Sequence, residues 1–102
     1  MIRVGKKWDA GAIYIGRGSP LGNPFNMHGD EAARDESCDR YEAYIEAQIK
    51  GGNPKILNEL ERLARAAESR DITLGCYCSP KRCHGDTIKR ILEHKLKTNL
   101  WH

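Results

Sequence analysis

The chain has 102 residues and a net charge of +3, with 39% hydrophobic and 30% charged residues. One core is feasible at this length, and the composition excludes a disordered chain. No apolar run approaches the roughly 20 residues needed to span a membrane, and the charge suits an anionic ligand better than a nucleic acid.

The N-terminus, "MIRVGKKWDAG", has no apolar signal core, so we expect no secretion, a cytoplasmic location and reduced cysteines. Ile2–Val4 and Ala12–Ile15 are short β-branched runs and read as two strands, with Gly5 and Gly11 bounding their connection. "GRGSPLGNPFNMHGD", residues 16–30, is too rich in glycine and proline for a helix or a ladder and is expected to be a loop.

A helix is predicted from about Asp30 to Lys50, because Cys38, Tyr41, Ile45 and Ile49 fall on one face. In "GGNP", Gly51 and Gly52 stop that helix, Asn53 can cap the next, and Pro54 suits its first turn. The second helix would bury Ile56, Leu57, Leu60, Leu63, Ala64 and Ala67. "DITLGCYC" reads as the third strand. Asp86 can cap a last helix with Ile88, Ile91, Leu92 and Leu96 inside. Its basic residues Lys89, Arg90, Lys95 and Lys97, with Lys81 and Arg82 before it, read as a solvated face.

The expected fold is α/β: a single small domain over residues 1–102, with a short mixed or parallel three-stranded sheet flanked by three helices. Strands joined through helices tend to be parallel, with a right-handed crossover. The glycine-rich loop and the loop "YCSPKRCHGD" would then leave the same carboxyl edge, where α/β sheets bind ligands.

In the first loop, Gly16, Gly18 and Gly22 permit close backbone approach and an anion-binding nest. Arg17 adds a planar fork for phosphate, Ser19 a hydroxyl and Asn23 an amide. The pattern is neither a Walker loop nor G-x-G-x-x-G, and an ordinary surface loop would look similar.

The third strand brings Cys76 to the second loop, which holds Cys78, expected among the ligand-binding residues, with Cys83 and His84. A thiol at a helix N-terminus beside Lys81 and Arg82 would have a lowered pKa, which makes Cys83 the expected reactive thiol, with His84 as base and Asp86 as a third member. No cofactor is expected. If zinc is present, Cys76, Cys78, Cys83 and His84 are the ligands, although adjacent Cys83 and His84 lack the usual spacing. Cys76 and Cys38 can equally be core residues.

"YIGRGSPLGNPF", "ARDESCDRYEAYI" and "LGCYCSPKRCHGDTI" together resemble a family of small phage and bacterial proteins catalogued as a domain of unknown function. The similarity runs over about residues 13–92 and is carried by Gly16 and Arg17, by Gly22 to Phe25, and by Arg34 and Tyr41 on the following helix. It continues through Cys76, Cys78, Pro80 and Cys83 to Asp86, with Tyr77 where the family often has tryptophan. The resemblance implies a shared site that includes Arg34 but names no chemistry. A phage setting would place the protein in the host cytoplasm, in nucleotide metabolism or counter-defence.

Three functions follow as expectations. One is an enzyme, a hydrolase or transferase, on a nucleotide-like phosphate-bearing molecule. Another is a non-catalytic binder that sequesters such a molecule. The last is a zinc-stabilised module touching nucleic acid or protein. Trp8 and Trp101 are candidates for core or interface, and a homodimer would suit so small a sheet.

Overall fold

The computed structural model describes residues 1–16, 18–25, 33–76 and 83–98. Its elements are β1 (Ile2–Lys6), β2 (Ile13–Tyr14), α1 (Arg34–Lys50), α2 (Pro54–Ser69), β3 (Ile72–Cys76) and α3 (His84–Thr98). The sheet order is β1-β3-β2, and both edge strands run parallel to β3. This is the expected α/β class with a wholly parallel sheet.

The register pairs Ile2 with Ile72, Val4 with Leu74 and Ile13 with Leu74. Alternation therefore puts these apolar side chains on one face, and Arg3, Gly5, Thr73, Gly75 and Tyr14 on the other. Helix α3 packs against β1 and β3, and α1 and α2 both pack on α3. It is buried through Ile88 and Leu92, as its spacing predicted, while Ile91 and Leu96 are partly buried. Lys95 departs from the solvated face expected of it: the residue is buried on α3, its long stem suited to apolar surroundings.

The connection between β1 and β2 is unusually short for parallel strands, and Gly75 explains how. The connection crosses the end of β3, where a Cβ on Gly75 would lie 2.9 Å from Lys7 Cα and 3.1 Å from Ala12 Cβ. Only glycine lets the backbone pass so close. The Asp9 carboxylate accepts from Lys6 N–H at 2.9 Å and holds the turn.

"GGNP" folds as its chemistry dictates. Gly52 takes φ +77, its N–H donates to Ile49 O, and Asn53 N–H donates to Gln48 O. This is the paired-bond end of a Schellman motif. Asn53 Oδ1 then accepts from Lys55 N–H at 3.1 Å and caps α2, with Pro54 in the first turn. Cys38, Tyr41 and Ile45 of α1 are buried, as are Ile56, Leu60, Leu63 and Ala64 of α2; Leu57 and Ala67 are only partly buried. The predicted start of α1 at Asp30 falls outside the described residues; the described helix opens at Arg34.

Candidate functional site

Because all three strands are parallel, their carboxyl ends (Lys6, Tyr14 and Cys76) lie on one edge of the sheet. The loop from Ile15 to Phe25 leaves this edge, and α3 begins beside it. Their meeting point is one hydrogen bond: His84 Nε2 lies 2.6 Å from Ile15 O. A carbonyl only accepts, so Nε2 carries the proton and donates. His84 is buried against Tyr41, ring centroids 5.1 Å apart. That burial holds its pKa below the usual histidine range, so the ring is neutral near pH 7.

The next residue, Gly85, permits this approach. A Cβ there would sit 3.0 Å from Ile15 Cδ1 and 3.1 Å from Val4 Cγ1. On the opposite side of the strand end, the Tyr14 ring covers Gly16 so closely that a Cβ would meet it at 2.5 Å. The start of the loop is thus clamped between His84 and Tyr14.

The loop itself folds into two successive turns. Ser19 N–H and Oγ both donate to Gly16 O, at 3.0 and 2.6 Å, and Gly22 N–H donates to Ser19 O at 3.1 Å. Gly18, the third residue of the first turn, takes φ +90, a conformation that favours glycine. Buried Leu21 anchors the far side, its carbonyl accepting from Tyr41 Oη at 2.7 Å. Asn23 makes an Asx turn to Phe25 N–H at 2.8 Å and donates to Ser37 Oγ at 3.1 Å. The Ser19 hydroxyl and the Asn23 amide therefore shape the loop from within. Arg34 opens α1; Arg17 and Cys78 lie outside the described residues.

The first turn of α3 corrects two expectations. Helix α3 starts at His84, so Cys83 and not Asp86 takes the capping place. Gly85 N–H donates to Cys83 Sγ at 3.3 Å, and the Asp86 carboxylate reaches back to Cys83 N–H at 3.1 Å. This is a capping box with a thiol as the cap. These two donors are therefore not available to an outside anion.

Second, the surroundings of Cys83 raise its thiol pKa where a lowered one was expected. Its sulfur lies 3.0 Å from that of Cys76, and both residues are buried. The hydrogen bond to Cys76, then burial, push the Cys83 thiol far above its ordinary value. Sequence reasoning missed this because the residue's neighbours in the chain do not show which sulfur it meets in space. Among the described residues no group of three or more His, Cys, Asp or Glu is gathered for a metal.

The sequence reading also missed a basic and aromatic cluster at the same edge. Lys7 Nζ lies 5.1 Å from the Tyr14 ring centroid, and Lys6 Nζ lies 5.2 Å from that of Trp8. Trp8 is 64% exposed, an unusual state for so large an apolar ring. The run "KKW" just after a strand was the available signal. A depression of about 410 Å³ adjoins it, lined by Arg3, Lys6, Asp9 and Thr73 among others. Another, of about 470 Å³, lies between α1 and α3, but its carboxylates Glu42 and Glu46 disfavour an anion.

Among the described residues no helix is long and apolar enough to cross a membrane. No curated protein and no solved structure matches the chain. A family profile does match, over residues 2–94, and so includes the clamped loop, the basic–aromatic turn and the thiol-capped start of α3. The chain belongs to the family described as Domain of unknown function (DUF4326).

Proposed function

We propose that the carboxyl edge of the sheet binds a phosphate-bearing small molecule, nucleotide-like in having an aromatic base. The observation that carries this reading is the His84–Ile15 hydrogen bond, which joins the glycine-rich loop to the start of α3. Ligands of open parallel sheets sit beyond such strand ends. Lys7 supplies positive charge there, and Arg17, by its sequence position, a second cation. Exposed Trp8 offers a face on which a base can stack.

Binding without covalent chemistry is the better supported form of the proposal. Cys83 is buried and protonated, and His84 is neutral with one nitrogen committed to Ile15. Neither is poised as an exposed nucleophile or base. A sequestering role, as in phage counter-defence, fits this better than a hydrolase or transferase.

Mass spectrometry of the denatured protein tests the proposal, run beside elemental analysis of the native protein. A released nucleotide-like compound supports it. Stoichiometric zinc whose chelation unfolds the chain, with no such compound, supports the zinc-stabilised module instead.

A further inference from the structure

Cys76 ends β3 and Cys83 immediately precedes α3. Neither is in a disulfide, both are at most 3% exposed, and their sulfurs are 3.0 Å apart. A disulfide needs about 2.05 Å between sulfurs. Two thiolates on one tetrahedral zinc, with bonds of about 2.3 Å, would stand about 3.7 Å apart. The spacing of 3.0 Å lies between these two distances, about 1 Å longer than a covalent bond.

The backbone on each side is already fixed. Lys7 N–H donates to Cys76 O at 3.0 Å, and the Asp86 carboxylate holds Cys83 N–H at 3.1 Å. The Cys83 sulfur is itself held by Gly85 N–H. The two sulfurs thus face each other in the folded chain.

We propose that Cys76 and Cys83 are a redox modification site, closing reversibly to a disulfide that ties the end of β3 to the first turn of α3. The co-reactant is a small peroxide. One thiolate attacks a peroxide oxygen, the O–O bond breaks, and a sulfenic acid forms as hydroxide leaves and is protonated to water. The second thiol loses its proton and attacks the sulfenic sulfur. The S–S bond forms, the S–O bond breaks, and a second water leaves. In total two thiols are oxidised by two electrons and one peroxide is reduced to two waters. The burial that raises the Cys83 thiol makes the first step slow near neutral pH.

The test treats the folded protein with equimolar hydrogen peroxide at about pH 8.5, where more thiolate is present. The intact mass should fall by two hydrogens, and two of the four cysteines should stop reacting with a thiol reagent after denaturation. Proteolysis should recover Cys83 linked to the fragment holding Cys76, and the link should persist in a Cys78→Ser variant. The melting temperature should rise by about 5 °C or more, and dithiothreitol should reverse every change. Sulfinic acid at Cys83 with no cross-link would overturn the proposal. So would a link lost in a Cys78→Ser protein that melts like the wild type, or a stoichiometric zinc that must leave before either thiol reacts. Because the wild-type chain carries the measurement, failure of a variant to fold does not obscure it.

Discussion

His84 Nε2 stands 2.6 Å from Ile15 O and joins the first residue of α3 to the residue after β2. This contact holds the glycine-rich loop against the helix that follows the Cys/His segment. Its cost and its benefit are both readable in pH. Burial depresses the folded-state pKa of His84, so the unfolded chain binds a proton more readily. Below the unfolded value near 6.5 the unfolded state carries more protons, and stability rises with pH. Acidification from about pH 7.5 to about pH 5.5 should therefore lower the urea midpoint. His84→Gln keeps a donor at the same reach and should flatten that slope. An unchanged slope in the variant would show that His84 is not the group responsible.

Gly75 should tolerate no side chain. A Cβ at this position meets the Lys7 backbone at 2.9 Å and Lys6 O at 3.2 Å, and backbone atoms yield less readily than side chains. Gly75→Ala should cost about 1–3 kcal/mol, read by chemical denaturation. A neutral result would mean that the turn from Lys7 to Ala12 can lift off β3.

Leu60 is fully buried at the centre of the α2 stripe. Leu60→Ala should cost about 2–5 kcal/mol on the same measurement. A loss below about 1 kcal/mol is the size of a surface substitution and would contradict the packing of α2 on α3.

Much of this fold was legible because its signals are local. The Schellman end at Gly52, the cap at Asn53 and the apolar stripes of α1 and α2 each need only a few neighbouring residues. The parallel pairing of β2 with β3 followed from the helices between them, whereas the direction of β1 was left open. The roles of single side chains were less legible, because they depend on partners distant in the chain. Nothing near Cys83 in sequence announces that it will face Cys76 and cap α3. Nothing near Asn23 shows that its amide will be spent on Ser37 and Phe25. The Lys7–Tyr14 contact needs the short β1–β2 connection, and that connection hinges on one glycine in a third strand.

Thiol reactivity separates the local expectation from the spatial one. A helix N-terminus alone would make Cys83 the fastest thiol to alkylate. With Cys76 beside it and solvent excluded, Cys83 should label slowly with limiting iodoacetamide near neutral pH, and quickly only on unfolding. Rapid labelling of Cys83 in the folded chain would restore the activated-thiol reading and with it a catalytic role.

Calorimetric titration with a nucleoside diphosphate tests the phosphate-binding edge most directly. Wild-type protein should bind, and the unphosphorylated nucleoside should bind much more weakly. Arg17→Ala should lose at least tenfold in affinity, about 1.4 kcal/mol, while its melting temperature stays near that of the wild type. Lys7→Ala should weaken binding in the same direction, and binding should quench Trp8 fluorescence in a Trp101→Phe background. Equal affinity for nucleoside and nucleotide, or an Arg17→Ala protein that binds as well as the wild type, would contradict the claim.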